Sequence, residues 1–334
     1  MKKYKPRGRF PAKTYVEGIL NEDRILLSRA ITIIESNLES DKVLAKDIIQ
    51  GILPSSGKSI RIGVTGVPGV GKSTFIESFG KHIIAQGHKV AILSIDPSSQ
   101  RTKGSILGDK TRMEELANME EAFIRPSPTG STLGGVANKT GEIRLLCEAA
   151  GYDVVLIETV GVGQSETAVH NMTDFFLLLM LAGAGDELQG IKKGIMEMAD
   201  MVVINKADGD NVRKSRLAKR EYQNALQIFP VGDSGWSPAT STASAIENIG
   251  MDIVWGKVME YKKLVEKNGY FYRNRNRQEI QWMYNNINEG LKDMFYASEE
   301  ISNPLKELEK DISSSKISPV KAAELILEKF KKSW

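Results

Sequence analysis

The stretch Gly66-Val67-Pro68-Gly69-Val70-Gly71-Lys72-Ser73-Thr74 decides the fold of this chain. The apolar run 60–64 before it predicts a buried strand, and residues 75–84 after it predict a helix. A strand, a glycine-rich turn, Gly-Lys-Ser and a helix make the P-loop arrangement. Its glycines allow the backbone to turn its N–H groups inward, where they and the positive helix end hold a phosphate chain.

Each part of this stretch has a predicted role. Lys72 is expected to reach the β- and γ-phosphates, and the Ser73 hydroxyl to bind Mg²⁺. The remaining predicted phosphate-binding residues are Gly66, Gly69, Val70, Gly71 and Thr74. The alternative is a tight turn without a ligand, which the lysine, the serine and both flanking elements disfavour.

Composition excludes several classes of protein. A chain of 334 residues can bury a large core, and its net charge of +3 is too small for a nucleic-acid or membrane footprint. The single cysteine, Cys147, excludes a disulfide framework and a multi-cysteine zinc site. The apolar run 175–182 is too short to span a bilayer, and no apolar signal segment follows the basic N-terminus. We therefore expect a cytoplasmic protein without nucleic-acid or membrane partners.

The chain divides into three predicted regions. Residues 1–55 form a helical N-terminal extension, in which Leu27, Ala30, Ile31 and Ile34 make one apolar stripe. Residues 56–255 alternate strands with helices, which predicts an α/β P-loop domain whose mostly parallel sheet is flanked by helices. Its predicted strands are 60–64, 89–95, 122–124, 153–157, 174–181, 201–204 and 226–231. Residues 256–334 form a helical C-terminal arm.

The C-terminal part contains predicted helices near 246–268, 276–297 and 318–332. In the second, an apolar seam close to heptad spacing comprises Ile280, Met283, Ile287, Leu291 and Met294. These helices either pack on their own domain or join two copies of the chain. The segment 270–277 mixes aromatic and arginine residues, and we interpret it as the start of a helix rather than as an RNA-binding patch.

The stretch 201–208 is an apolar strand that ends in Asn205-Lys206-Ala207-Asp208. The carboxylate of Asp208 can accept two hydrogen bonds from the N–H and NH₂ edge of guanine, an edge that adenine lacks. Asn205 can bond the purine rim and tie down the P-loop, while the Lys206 stem covers one ring face. The pattern therefore predicts GTP rather than ATP. Ser244 and Ala245 are expected to form the loop that backs the base.

A second strand, 154–157, ends in Glu158, the Walker B position that orders Mg²⁺ or its waters. Gly161 can offer its N–H to the γ-phosphate. Ras-like enzymes place a water-orienting glutamine directly after that glycine, but here Val162 follows and the first glutamine is Gln164. We expect a catalytic set of Lys72, Glu158, Gly161 and Gln164, with slow hydrolysis unless a partner completes the site.

Two further acids, Asp96 and Asp109, are candidate metal-site residues together with Ser73 and Glu158. The alternative for each is a helix cap or a surface acid. The polar segment 96–112 is a predicted switch loop that the γ-phosphate orders, and 183–190 is a second mobile candidate.

Taken together, these motifs resemble the GTPases associated with methylmalonyl-CoA mutase, the bacterial relatives of the human methylmalonic aciduria type A protein. The resemblance covers nearly the whole chain. The stretches that carry it are Leu27-Ser-Arg-Ala-Ile-Thr-Ile-Ile-Glu35, Gly66-Val-Pro-Gly-Val-Gly-Lys-Ser73, Ile95-Asp-Pro-Ser-Ser99, Glu158-Thr-Val-Gly-Val-Gly-Gln-Ser-Glu166, Ala182-Gly-Ala-Gly-Asp-Glu-Leu-Gln-Gly190 and Asn205-Lys-Ala-Asp208. The runs 158–166 and 182–190 are its most specific parts.

The resemblance implies a chaperone that uses GTP and Mg²⁺ to gate cofactor loading into an adenosylcobalamin-dependent mutase, and that protects or reactivates this client. It implies a homodimer joined by the C-terminal arm. It also assigns Asp96, Asp109 and Glu158 to the metal and Asn205, Lys206 and Asp208 to guanine. One departure lies in 134–141, where similar proteins often carry arginine at the positions of Asn138 and Gly141.

Three other functions compete with this interpretation. A metallochaperone GTPase usually carries histidine-rich tracts or a Cys-x-Cys-Cys-like motif, and neither occurs here. An amino-acid transport kinase requires phosphoryl transfer to protein. A scaffold that binds GTP without hydrolysing it is the alternative that is not an enzyme.

Overall fold

A computed structural model of the chain describes residues 8–95, 113–126, 133–159, 165–183 and 193–332. The chain forms two compact units, of which one ends at Gln278 and the other begins at Glu279. The sequence places the start of the helical arm at 256, whereas the second compact unit starts inside a helix at 279.

Seven strands of the described chain form one sheet: β1 (Ile60–Gly66), β2 (Val90–Ile95), β3 (Ala122–Arg125), β4 (Val154–Thr159), β5 (Phe175–Leu181), β6 (Met201–Asn205) and β7 (Ala239–Thr242). Every neighbouring pair is parallel, in the order β3-β2-β4-β1-β5-β6-β7. The central strands are buried almost along their whole length, as their continuous apolar runs predict. The predicted parallel α/β sheet is therefore confirmed.

The register of these strands brings the predicted motifs to one edge of the sheet. Gly66 at the end of β1 lies opposite Leu179 of β5. Glu158 near the end of β4 pairs with Val64 of β1, and Asn205 at the end of β6 pairs with Leu181 of β5. Ligands of parallel α/β sheets bind at this carboxyl edge.

The predicted strand at 226–231 is wrong. Leu226 ends a helix, and Ile228 and Val231 after it are exposed. The seventh strand is β7, whose sequence Ala-Thr-Ser-Thr has little apolar character. Because β7 lies at the edge of the sheet, it does not need the apolar run that marks the interior strands.

Helices in the first unit cover the sheet, and three of them precede it as an N-terminal extension. They are α1 (Ala12–Leu20), α2 (Arg24–Glu35), α3 (Glu39–Ile52), α4 (Lys72–Ala85), α5 (Glu114–Ala117), α6 (Leu133–Ala149), α7 (Ser165–His170), α8 (Lys193–Met198), α9 (Val212–Leu226) and α10 (Met251–Lys267). Asp23 begins α2 by accepting hydrogen bonds from the backbone N–H groups of Ile25 and Leu26. The predicted apolar stripe of α2 is buried, and α2 and α3 both contact α6.

Arg24, the first residue of α2, reaches the outer strand β3. Its guanidinium donates hydrogen bonds to the backbone carbonyls of Glu120 at 2.9 Å and Ala122 at 2.7 Å. The N-terminal extension therefore contacts the edge of the sheet at β3 as well as α6.

A buried ionic cluster lies beside the start of β1. Glu148 accepts hydrogen bonds from Arg61 Nε, Ser59 Oγ and the Gly57 N–H, each at 2.7 Å. Burial alone would raise the pKa of Glu148, but the charges of Arg144 and Arg61 outweigh it and lower that pKa to about 2. The cluster thus fixes the first residues of the strand that ends in the P-loop.

Glu148 is expected to make the free energy of unfolding depend on pH in the acid range. Because its pKa is lower in the folded protein than the ordinary value of 4.5, its stabilisation is complete above about pH 4.5 and is lost as the pH falls towards about 2. Denaturant unfolding in a series of acidic buffers tests this. Glu148→Gln should be less stable near neutral pH and lose less stability on acidification, and equal pH slopes in the two proteins would contradict the prediction.

The chain after the sheet is helical, with one helix more than the sequence predicts. Beyond α10, the described helices are α11 (Tyr270–Ala297), α12 (Glu299–Ser313) and α13 (Pro319–Lys332). The sequence analysis missed α12, because Pro304 lies inside it and proline normally marks the end of a helix. In the second unit α12 contacts α13, and the ring centroids of Phe295 and Phe330 are 5.0 Å apart.

The segment 270–277 forms the first turns of α11, as predicted. Arg275 is buried and pairs with Asp174, so this arginine is not part of an exposed patch. Arg273 and Arg277 remain exposed. Because Arg275, the middle arginine of segment 270–277, is buried, an RNA-binding surface on this segment is disfavoured.

Candidate functional site

The loop between β1 and α4 has the backbone conformation that its glycines predict. Gly69 and Gly71 have φ values of +76° and +90°, in the left-handed region. At Gly66, a Cβ atom would lie 2.4 Å from the backbone oxygen of Leu179 on β5. The side chain of Val70, within the loop, is buried, and Thr74 lies in the first turn of α4. The loop therefore presents backbone N–H groups and a helix N-terminus at the carboxyl edge of the sheet.

Lys72 is folded back onto this loop. Its Nζ donates hydrogen bonds to the backbone oxygens of Gly66 at 2.9 Å and Val67 at 3.4 Å. Burial lowers the pKa of Lys72, and the charges of Glu158 and Glu166 act in the opposite direction. Its ammonium group is held by two neutral carbonyls and lies within the electrostatic range of two acids.

Ser73 and Glu158 form the described part of the predicted metal site. The Ser73 hydroxyl donates to Glu158 Oε1 at 3.2 Å, and Glu158 is buried. Beside them the hydroxyls of Thr65 and Thr159 share a hydrogen bond of 2.8 Å. A hydroxyl and a carboxylate suit Mg²⁺, which binds oxygen ligands and retains several waters.

Other members of the predicted site lie outside the described residues. These are Asp96 and Asp109 of the metal set, Gly161 and Gln164 of the catalytic set, the switch loop 96–112 and most of 183–190. In the part of the chain that the structure describes, no group of three or more His, Cys, Asp or Glu residues could hold a metal. The roles assigned to the site residues outside the described ranges stay predictions.

Glu166 is a candidate site residue that the sequence analysis missed. It lies in the first turn of α7, it is buried, and its charge raises the pKa of Lys72. The residue ends the run 158–166, whose motif assigns it no role. Its electrostatic effect on Lys72 depends on how α7 packs, which no local pattern reveals.

Asn205 and Lys206 connect the end of β6 to the phosphate loop. Asn205 Nδ2 donates to the backbone oxygen of Val70, and Lys206 Nζ donates to that of Gly69, both at 2.9 Å. Asn205 is buried, and its Oδ1 has no hydrogen-bond partner among the described residues. Because an unpaired buried acceptor is costly, this atom leaves polar capacity for a ligand. The predicted tie between Asn205 and the P-loop is present.

Asp208 and Ser244, which the sequence assigns to the guanine site, are in side-chain contact. The Ser244 hydroxyl donates to Asp208 Oδ2 at 2.6 Å and accepts from the Glu247 N–H at 3.1 Å. Ala245 packs against the main hydrophobic core. A carboxylate in contact with this loop, next to a strand that is tied to the P-loop, is the arrangement expected for recognition of a guanine edge.

Comparisons with known proteins show the family of this chain. The family model described as "Methylmalonyl Co-A mutase-associated GTPase MeaB" matches residues 27–300. A putative GTPase of Caulobacter vibrioides is 47% identical over 308 residues, covering 92% of this chain and 94% of that protein. The mouse mitochondrial methylmalonic aciduria type A homolog is 43% identical over 333 residues, covering 97% of this chain and 80% of that protein.

A solved structure shows the same fold. The crystal structure of a LAO/AO transport system kinase has a TM-score of 0.76 and 35% sequence identity to this chain, and the match covers 98% of this chain and all of that one. With a family match over most of its length, this chain belongs to the methylmalonyl-CoA mutase-associated GTPase family, MeaB.

Proposed function

We propose that this protein binds GTP with Mg²⁺, hydrolyses it slowly to GDP and phosphate, and uses this cycle to gate cofactor loading into an adenosylcobalamin-dependent mutase, methylmalonyl-CoA mutase or a related enzyme. In the same role it protects or reactivates the client. The observation that carries the proposal is the joint placement of Asp208 with Ser244 and of Asn205 and Lys206 with the P-loop. Membership of a mutase-associated family supports the choice of a mutase as the client.

Base selection follows from the Asp208 carboxylate. It can accept hydrogen bonds from the N1–H and the 2-amino group of guanine. Adenine has no hydrogen at N1 and no amino group at position 2, so it would leave the carboxylate without these partners. A polar site left unpaired rejects a ligand strongly, which is why this geometry favours GTP over ATP.

Phosphate binding follows from Lys72 and the loop N–H groups. The carbonyls of Gly66 and Val67 that now hold the Lys72 ammonium are neutral acceptors. A phosphate oxygen is a charged acceptor and forms stronger hydrogen bonds with an ammonium group. When bound through Ser73 and Glu158, Mg²⁺ would neutralise charge on the β- and γ-phosphates.

Slow hydrolysis is proposed from the sequence 161–164. Val162 has no group that can orient a water molecule, and Gln164 lies two residues further along. A partner would then accelerate hydrolysis by supplying or ordering the missing group. Purified protein that hydrolyses many GTP molecules per second with nothing added would contradict this part of the proposal.

Lys72→Ala is expected to lower GTP turnover by about 10²-fold, because a charged hydrogen bond to phosphate contributes about 2 to 3 kcal/mol. Phosphate release by the purified protein measures the change. Lys81→Ala on the same helix is the matched control, since Lys81 pairs with Glu115 away from the loop. Client cofactor loading that is unaltered in Lys72→Ala would favour a GTP-binding scaffold over a switch.

Capture of native partners tests the client. The protein is loaded with a non-hydrolysable GTP analogue or with GDP, and cell extract is passed over each. We expect a cobalamin-dependent mutase to be recovered mainly in one nucleotide state, because the γ-phosphate orders loops that a client can recognise. Equal recovery in both states, or none, would oppose nucleotide gating.

We also propose that the protein is a cytoplasmic homodimer joined by its helical arm, without nucleic-acid or membrane partners. The seam that includes Ile280, Ile287 and Leu291 on α11 is about half exposed in the single chain, so it is available to a second copy. Within the described ranges, no helix has both the length and the hydropathy to cross a bilayer. Light scattering of the purified protein tests the dimer, and cell fractionation tests the location.

A further inference from the structure

A side-chain contact joins the loop behind the predicted base site to the helix that follows the P-loop. Ser78 Oγ donates to Asn248 Oδ1 at 2.7 Å, across 170 residues of sequence. Ser78 is buried in α4, six residues after Lys72. An α-helix is rigid over this distance, about 9 Å. The helix that begins with Lys72 and Ser73 therefore also holds the loop around Asn248.

The loop 243–250 has a defined internal structure. The backbone N–H and C=O groups of Ser244 and Ile249 bond to each other in both directions, each at 3.0 Å. The Ser244 hydroxyl bonds both to Asp208 and to the Glu247 N–H. Gly250 closes the loop with φ +82°, and a Cβ there would lie 2.6 Å from the Thr242 oxygen. A displacement of one part of this loop is therefore transmitted to Ser244 and to Asp208.

Asn248 has a backbone conformation that suits its contact. Its φ of +54° is left-handed, a region that asparagine enters more easily than most residues. The neighbouring side chains of Ile246 and Ile249 are exposed. Through its contact with Ser78, Asn248 links this loop to α4 by a hydrogen bond between two side chains.

We infer that Ser78 and Asn248 are positioning residues for base selection. Their contact holds loop 243–250, and through Ser244 the carboxylate of Asp208, at a fixed position relative to the phosphate-binding end of α4. This inference rests on the proposed binding of GTP. Hydrogen bonds to a base weaken steeply when donor and acceptor are misaligned, so release of the loop should lower selectivity for guanine.

The affinities for GDP and IDP, measured by calorimetry with Mg²⁺, separate positioning from general stabilisation. Hypoxanthine keeps the N1–H of guanine but lacks its 2-amino group, so Asp208 can accept two bonds from GDP and one from IDP. In Ser78→Ala we expect the preference for GDP over IDP to fall about fivefold, a change typical of one hydrogen bond. Phosphate contacts are common to both ligands and cancel in this ratio.

Three variants complete the test. Asn248→Gly removes the side chain but keeps a residue that tolerates positive φ, and it should lower the preference as Ser78→Ala does. Asn248→Asp keeps an oxygen acceptor for the Ser78 hydroxyl and should retain the preference. Ser215→Ala is the matched control, because Ser215 is a buried helical serine whose Oγ has no hydrogen-bond partner among the described residues.

The double variant of Ser78→Ala and Asn248→Gly should lower the preference no further than either single change, because both remove the same contact. A wild-type protein that binds GDP, IDP and ADP equally would refute the proposed function itself. A normal wild-type preference that Ser78→Ala and Asn248→Gly leave unchanged would overturn only this inference. Equal weakening of GDP and IDP would also overturn it, since that result describes a merely structural contact.

Discussion

Asp208→Asn is expected to lower the affinity for GTP by about 10³-fold and to create affinity for xanthosine triphosphate. The carboxylate can accept two charged hydrogen bonds from guanine, each contributing about 2 kcal/mol. An asparagine amide replaces one acceptor oxygen by an NH₂ donor, which faces the 2-amino group of guanine unfavourably. Xanthine carries an oxygen at that position and accepts a hydrogen bond from the amide. The gain with xanthine distinguishes a changed specificity from simple loss of the fold.

Calorimetry with GTP and xanthosine triphosphate in the presence of Mg²⁺ measures both effects. Asp210→Asn is the matched control, because Asp210 is exposed and lies two residues further along the chain. It should bind GTP as the wild-type protein does. Unchanged GTP affinity in Asp208→Asn, or wild-type protein that binds ATP as tightly as GTP, would refute the assigned base site.

Arg275→Ala is expected to lower the free energy of unfolding by about 3 to 5 kcal/mol, the usual effect of removing one partner of a buried ion pair. Arg275 donates from Nε and Nη2 to both oxygens of Asp174, at 2.8 and 2.6 Å. It also donates to the backbone oxygens of Gly57 and Ser59, each at 2.5 Å. Its removal leaves a buried carboxylate and two carbonyls without these donors.

Urea unfolding followed by circular dichroism measures this loss. Arg273→Ala is the matched control on the same helix, since Arg273 is exposed and donates to the backbone oxygen of Asn268. We expect its free energy of unfolding to change by less than about 0.5 kcal/mol. A similar loss in both variants would show that helix propensity, rather than the buried ion pair, determines the effect.

Local patterns were sufficient for the phosphate loop and for most of the sheet. Gly69 and Gly71 take the positive φ values that their chemistry permits, and the interior strands are apolar because helices cover both faces. The same reasoning was wrong at 226–231 and missed β7, because an edge strand carries a weaker apolar signal. Helix α12 was missed because Pro304 lies within it.

Contacts between distant residues that belong to no recognised motif were beyond the sequence. Glu166 acts electrostatically on Lys72 because α7 packs on β1 and β4, an arrangement that the local sequence around Glu166 does not indicate. Ser78 and Asn248 are separated by 170 residues, and each is an ordinary polar residue in its local context. Motifs therefore supplied the candidate nucleotide-binding groups, whereas the residues that hold those groups in place required the tertiary structure.

The two outer strands also affect how this protein behaves at high concentration. An exposed strand edge offers free backbone groups to another molecule, which can start aggregation. Here both outer strands, β3 and β7, are only four residues long. Arg24 occupies the Ala122 carbonyl of β3, and β7 carries hydroxyl side chains. The short length of both edges, the cover of β3 by Arg24 and the polar side chains of β7 disfavour intermolecular strand pairing, so the folded protein should resist amyloid-like assembly.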